Sequence, residues 1–219
     1  MNIAIDGPSG AGKSTIAKIL AKELGITYLD TGAMYRALGL KAYNNGISPS
    51  DEGAVSELIG KTTIDVQAGE NGSIVFLDGQ DVSTQIRQHH ISKMASDISA
   101  LKCVRIYMVD LQRKIAARRD SVLDGRDIGT VVLPNADFKF YLTASVEVRA
   151  HRRYVELLAR GEECDEAQIQ DDIAKRDYND MNRTHSPLKK ADDAIEIDST
   201  FLTIQEVKDK MLSIIKAAK

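Results

Sequence analysis

The stretch Gly7-Pro8-Ser9-Gly10-Ala11-Gly12-Lys13-Ser14 limits the possible folds of this chain more than any other feature. It fits the pattern G-x-x-x-x-G-K-S, follows the apolar run Ile3-Ala4-Ile5 and precedes apolar residues that recur every four positions. This context predicts a strand, a phosphate-binding loop and a helix, because glycines let backbone N–H groups converge on phosphate oxygens at a helix N-terminus. We therefore expect a bound nucleoside triphosphate, with Lys13 reaching its β- and γ-phosphates and the Ser14 hydroxyl binding Mg²⁺.

Short apolar runs alternate with segments of helical period along most of the chain. This alternation predicts an α/β fold in which helices cover both faces of a parallel sheet. The last predicted helix begins with Thr203-Ile204-Gln205-Glu206, which fits a capping box, and Gly25 is placed to end the first helix. Beyond Ile3-Ala4-Ile5, the predicted strands are at 26–29, 122–123, 138–142 and 194–197.

One stretch, from about Thr62 to Ser83, has a different pattern. Short β-like runs are separated there by Asn71-Gly72 and Asp78-Gly79, and both pairs are strong signals for two-residue hairpin turns. We expect a small antiparallel meander inserted into the α/β fold.

Composition and charge exclude several classes of protein. A chain of 219 residues is long for a single domain of about 150, which suits one large domain with an insertion. With 29 Lys and Arg against 32 Asp and Glu, the net charge of -3 gives no reason to expect binding to a nucleic acid polymer or an anionic membrane. Two isolated cysteines, no apolar run of membrane-spanning length and no secretory signal favour a cytoplasmic protein.

Arginines are concentrated in residues 149–183. Arg149 and Arg153 are four apart on a predicted helix, where like charges repel unless an anion, such as a transferring phosphoryl group, lies between them. Arg-Glu pairs at the same spacing could instead stabilise a solvated helix. Further along, two cations flank a carboxylate on one helical face, which suits a phosphorylated sugar. The six arginines are Arg149, Arg152, Arg153, Arg160, Arg176 and Arg183, and the carboxylate is Asp180.

Asp124 follows the apolar residues Val122-Leu123. An acidic residue at the carboxyl edge of a parallel sheet is well placed to act on Mg²⁺ directly or through its waters. The pair Asp124-Gly125 could instead form a simple turn.

Several motifs together resemble bacterial cytidylate kinases along nearly the whole chain. Besides the phosphate loop they are Leu29-Asp30-Thr31-Gly32-Ala33-Met34-Tyr35-Arg36, the stretch from Asp124 to Val132, and the stretch from Arg176-Asp177 to Arg183. The resemblance implies a five-stranded parallel sheet, an Arg-rich helical lid from Arg149 to about Asp165, and a meander that belongs to a nucleoside-monophosphate-binding insertion. One departure concerns Ser14-Thr15, where some members have Gly-Thr, so either hydroxyl could bind Mg²⁺ directly.

The resemblance also implies roles for individual residues. Arg36, Arg126 and Arg183 would hold the acceptor phosphate with Thr31 nearby, and Asp180 with Arg176 would approach the ribose. Ser96, Arg105 and Asp127 would read the base. The chemistry agrees, because cytosine offers an amino donor at N4 and acceptors at N3 and O2, which a carboxylate and a guanidinium complement.

The predicted reaction is transfer of the γ-phosphoryl group of MgATP to CMP or dCMP by alignment and charge neutralisation, involving Lys13, Asp124, Arg149 and Arg153. Kinases acting on UMP, shikimate or dephospho-coenzyme A remain alternatives, as does a nucleotide switch, although no Asn-Lys-x-Asp motif occurs. We expect a monomer. Its single domain would comprise a core (1–30, 102–148 and 184–219), an acceptor region (31–101, with the insertion at about 62–100), the lid (about 149–165) and an acceptor-binding helix (about 166–183).

Overall fold

A parallel sheet lies at the centre of the fold. The computed structural model describes residues 1–69 and 72–218. Its strands, in chain order, are β1 (Asn2–Asp6), β2 (Thr27–Asp30), β3 (Ile64–Gly69), β4 (Gly72–Leu77), β5 (Gln80–Asp81), β6 (Ser121–Gly125), β7 (Phe138–Thr143) and β8 (Ile195–Asp198). Five of them form one sheet in the order β2-β6-β1-β7-β8, and each neighbouring pair is parallel. The predicted five-stranded parallel sheet is confirmed.

Helices cover both faces of this sheet, as the sequence predicts. Side chains alternate along β1, so Ala4 packs on one face with Leu38 and Met108, whereas Ile3 and Ile5 pack on the other. A π-helix, Ile128–Val132, follows β6, and a 3-10 helix, Gln85–Arg87, follows β5. The α-helices are α1 (Lys13–Leu24), α2 (Thr31–Asn44), α3 (Glu52–Gly60), α4 (His89–Ile98), α5 (Lys102–Ala116), α6 (Val146–Ala159), α7 (Glu166–Asn182) and α8 (Ile204–Ala217).

Local signals in the sequence correctly predict the end of α1 and the start of α8. Gly25 ends α1 with a φ of 66°, in the left-handed region where glycine has no steric cost. At the start of α8, the Thr203 hydroxyl accepts the N–H of Glu206, and the Glu206 carboxylate accepts the N–H of Thr203. Both predictions are confirmed.

The insertion is an antiparallel sheet of β3, β4 and β5, as predicted. Asp78 and Gly79 form the turn between β4 and β5 with φ values of 50° and 84°, whereas Asn71 of the other predicted turn lies outside the described residues. Val75 and Leu77 are buried in the same core cluster as residues beneath the main sheet. The Ser73 hydroxyl also donates to the Tyr28 carbonyl of β2 at 2.8 Å, so the insertion is joined to the sheet by side-chain contacts as well as by sequence.

The three neighbouring strands β2, β6 and β1 carry a carboxylate at or next to their carboxyl ends. Asp30 is paired in register with Asp124, and Asp6 is paired with Gly125. The loop after β1 and the segment after β6 both leave from the carboxyl edge of the sheet, which is where ligands bind in open α/β sheets. Within the described ranges, no helix is long and apolar enough to cross a membrane.

Candidate active site

The phosphate-binding loop turns through three glycines between β1 and α1. Gly7, Gly10 and Gly12 have φ values of 147°, 76° and 90°, all on the side that favours glycine. A Cβ at Gly7 would lie only 2.0 Å from the carbonyl oxygen of Leu142. The loop therefore takes the predicted form, with α1 beginning at Lys13 directly behind it.

Lys13 points back across this loop. Its Nζ donates to the carbonyl oxygen of Pro8 at 2.7 Å, and its side chain is buried. Burial, followed by the nearby Arg126, holds the pKa of Lys13 well below its usual value, while Asp124 acts in the opposite direction. An anion at the loop would relieve both unfavourable effects, since it would supply a partner for the buried cation.

Asp124 ends β6 next to the start of α1. Its Oδ2 accepts from the Ser14 hydroxyl at 2.7 Å, its Oδ1 from the Tyr28 hydroxyl at 2.9 Å, and its carbonyl oxygen from the Thr31 hydroxyl at 2.5 Å. Burial, and after it the charge of Asp30, raises the pKa of Asp124. The strand interpretation is therefore correct and the simple-turn alternative is wrong, because Asp124 lies within the parallel ladder.

This part of the site fits a magnesium ion. The Ser14 hydroxyl and the Asp124 carboxylate are hard oxygen donors, and Mg²⁺ prefers such donors with water and phosphate completing its shell. Ser14 is solvent-exposed, so it is accessible to a ligand from outside the protein. Thr15 is also exposed, but the bond to Asp124 comes from Ser14, which favours Ser14 as the ligand.

A cluster of charged residues lies on the acceptor side of the crevice. Asp180 Oδ2 accepts from Arg126 Nε at 2.8 Å, and Asp180 Oδ1 accepts from Arg183 Nη1 at 3.2 Å. Burial raises the pKa of Asp180, but the surrounding arginines outweigh burial and hold the pKa below its usual value. Arg176 is exposed one turn before Asp180 on α7, and Arg36 pairs with Asp30 at 3.1 Å. The predicted phosphate and ribose residues are thus close enough for their charges to act on one another.

Next to this cluster lies a group of buried polar side chains. Arg105 Nη1 donates to the Tyr35 hydroxyl at 2.9 Å and to Asp127 Oδ1 at 3.4 Å, and its Nε donates to the carbonyl oxygen of Ser99 at 2.6 Å. Asp127 Oδ2 and Arg183 Nη2 are buried with no hydrogen-bond partner among the described residues. Unpartnered buried polar atoms are costly and uncommon, so a polar ligand that bonded to either of these two would stabilise the site. Ser96 lies half-buried on α4, where its carbonyl oxygen accepts from Ser99.

The two arginines expected to meet at the γ-phosphate have different surroundings. Arg149 is buried, and its Nη1 donates to the Ser9 carbonyl at 2.9 Å and to Asp177 Oδ2 at 2.6 Å. Arg153 is half-buried on α6 and pairs with Glu156 at 2.8 Å. No anion is needed between them in this arrangement, since each has a carboxylate partner of its own. Glu156 also pairs with Arg160, as the solvated-helix alternative expects.

Four residues in contact with these groups were missed by sequence reasoning. Asp6 accepts two backbone N–H groups after β6, Tyr28 and Tyr35 bind predicted site residues, and Asp177 holds Arg149. The rule that drew attention to Asp124, an acidic residue at the end of an apolar strand, also applies to Asp6. No comparable signal marks the two tyrosines, whose partners are far away in sequence.

Comparison with known sequences relates nearly the whole chain to one family. A family model described as cytidylate kinase matches residues 3–217. A cytidylate kinase from Caldicellulosiruptor bescii is 51% identical over 214 residues, which cover 98% of this chain and 95% of that protein. One from Lactobacillus johnsonii is 50% identical over 216 residues, 99% of this chain and 94% of that protein. Among solved structures, a gluconokinase from Sinorhizobium meliloti 1021 is similar in fold, with a TM-score of 0.51 and 13% identity over 97% of this chain and 89% of that one.

Proposed function

The chain belongs to the cytidylate kinase family, and on this basis we propose which residues perform each part of the reaction. Members of the family are ATP-dependent nucleoside monophosphate kinases, so this chain transfers the γ-phosphoryl group of ATP to CMP or dCMP. The products are ADP and the corresponding diphosphate. The observation that best supports a cytosine acceptor is the buried, unpartnered Oδ2 of Asp127 beside Arg105.

The donor would be held by the loop from Gly7 to Thr15. Its backbone N–H groups and Lys13 would bind the phosphates, and the low pKa of the buried lysine would rise as the anion binds. Ser14 and Asp124 would hold Mg²⁺, which neutralises phosphate charge when it is bound. The 2.7 Å bond between these two side chains supports this assignment.

Two groups of residues would hold the acceptor. Arg36, Arg126 and Arg183 would bind its phosphate, with Thr31 close by, while Arg176 and Asp180 would bind the ribose. An acceptor phosphate oxygen is already ionised and needs no strong base, so the main task of these arginines is to neutralise charge and align the attacking oxygen.

The base would lie against Arg105, Asp127 and Ser96. A carboxylate accepts the N4 amino group of cytosine, whereas the O4 of uracil would face it as a second acceptor. Arg105 is held at Nη1 and Nε by Tyr35, Asp127 and the Ser99 carbonyl, so its guanidinium is oriented before a ligand arrives.

We propose that Arg149 and Arg153 bind the γ-phosphate only after the lid has moved. Arg149 would have to release Asp177 and the Ser9 carbonyl, and Arg153 would have to leave Glu156. Closure of this kind also excludes water, which protects ATP from hydrolysis. We further propose that the protein is a monomer, with residues 31–101 as the acceptor region and about 149–165 as the lid.

An acceptor panel tests the proposal. ADP release would be followed with CMP, dCMP, UMP, shikimate and dephospho-coenzyme A at fixed MgATP, and repeated with GTP as donor. We expect CMP and dCMP to have the highest kcat/KM. A higher value for any other acceptor would contradict the proposed role of Asp127 and Arg105.

A further inference from the structure

Asp6, at the end of β1, uses both carboxylate oxygens on one short segment. Its Oδ1 accepts the N–H of Ile128 and its Oδ2 accepts the N–H of Gly129, each at 2.7 Å. Asp6 is only 4% exposed. The two N–H groups are the first two of the π-helix Ile128–Val132, which have no partners within that helix. Asp6 therefore caps the π-helix from a different strand.

The bonds from Asp6 affect Asp127, the residue immediately before the π-helix. Asp127 is its N-cap residue, and an aspartate at that position usually turns back to accept an N–H from the first turn. Asp127 makes no such bond, and its Oδ2 has no partner among the described residues. An N-cap side chain usually accepts from the second or third N–H of its helix. Asp6 occupies the second of these, the Gly129 N–H, so one of the two usual local partners of Asp127 is taken.

The absence of a side chain at Gly129 allows the π-helix to approach Asp6 closely. A Cβ on Gly129 would lie 3.3 Å from Asp6 Oδ2 and 3.2 Å from Cδ of Lys139. Contacts this close are tighter than most Cβ contacts in proteins, so a larger residue at this position would require Asp6, Lys139 or the π-helix to shift by a few tenths of an ångström. Gly129 thus permits the short bond from its N–H to the carboxylate.

We propose that Asp6 is a positioning residue for cytosine recognition. By capping the π-helix, it stops Asp127 from capping that helix itself and so leaves Asp127 Oδ2 free to accept the N4 amino group of the base. In this proposal Asp6 acts through the π-helix and not on the acceptor itself. The inference rests on the proposed base-reading role of Asp127.

The test compares kcat/KM for CMP and UMP in Asp6→Asn. The variant amide replaces one acceptor by a donor, so one N–H of the π-helix loses its partner and Asp127 can turn toward it. We expect the CMP:UMP ratio to fall by about tenfold or more, the effect of losing one hydrogen bond to a charged group. General damage to the fold would lower both values together and leave the ratio unchanged, which would overturn the inference.

A matched control and a second variant make the result decisive. Asp137 accepts the N–H of Asn2 at 2.6 Å at the opposite edge of the sheet, so Asp137→Asn should leave the ratio unchanged. Gly129→Ala keeps the Asp6 carboxylate but separates it from the helix, and it should lower the ratio in the same direction. If Asp6→Asn does not fold, Gly129→Ala serves as the test instead. An unchanged CMP:UMP ratio in Gly129→Ala would then refute the inference.

A double variant separates this inference from the proposed function. If Asp127→Asn itself leaves the ratio unchanged, the base-reading role fails and the inference fails with it. If Asp127→Asn lowers the ratio, Asp6→Asn added to it should cause no further loss, because both changes act through one carboxylate. A full additional loss in the double variant would show that Asp6 affects specificity by another route and would overturn the proposal.

Discussion

Replacing Asp127 by Asn should change which pyrimidine the enzyme prefers. Asp127 is 3% exposed, and its Oδ2 is the buried acceptor that cytosine would meet. Asn presents an NH₂ group in place of one oxygen, which opposes the amino group of cytosine but suits the O4 of uracil. A hydrogen bond to a charged group contributes about 1.5–3 kcal/mol, so kcat/KM for CMP should fall by about 10- to 150-fold.

The assay measures ADP release with CMP and with UMP at saturating MgATP. The CMP:UMP ratio is the quantity of interest, because folding losses cancel in it. Asp110→Asn is the matched control, since Asp110 is exposed on α5 and pairs only with Lys114 at 2.6 Å. A folded Asp127→Asn enzyme with a wild-type ratio would refute the assignment of this carboxylate to base recognition.

Three other perturbations have clear expected outcomes. Lys13→Ala should lower kcat by about 100- to 1000-fold while the protein stays folded; near-normal turnover would refute this. Gly7→Ala should lower both Tm and ATP affinity, since its Cβ would lie 2.0 Å from the Leu142 carbonyl oxygen; unchanged urea unfolding and ATP titration would contradict the loop geometry. Burial raises the pKa of Asp6 from 3.8 to about 6. Between pH 7 and pH 5 the folded protein therefore takes up a proton that the unfolded chain does not. The free energy of unfolding of the wild type should rise by about 1 kcal/mol over this interval, relative to that of Asp6→Asn. Denaturant titrations at both pH values measure that gain, and no change would contradict it.

The parallel sheet, the loop and the insertion could be predicted because each has a local signal. Each signal spans only a few residues. The signals are a glycine pattern between a strand and a helix, apolar runs of strand length and an Asp-Gly turn. The neighbourhood of Asp124 was also predictable, because carboxyl ends of parallel strands meet at one edge.

The state of the arginines could not be predicted in the same way. Arg149 and Arg153 share a helix face by spacing, but Arg149 is held by Asp177, which lies on a different helix 28 residues later. Whether an arginine is buried against a partner or left on the surface depends on how two helices pack, and helical period alone does not contain that information. For the same reason, sequence spacing did not reveal that Asp6 caps the helix after β6.

The contact between the insertion and β2 has a consequence for self-association. The two outer strands of a sheet carry unpaired backbone groups that can recruit strands of other molecules. The Ser73 hydroxyl occupies one such group on β2, the Tyr28 carbonyl, so the insertion shields that edge. The other edge, β8, is exposed at Ile195, but it is only four residues long and carries Glu196 and Asp198. Short length and like charge at the open edge disfavour strand addition, so both margins of the sheet are protected from aggregation by different means.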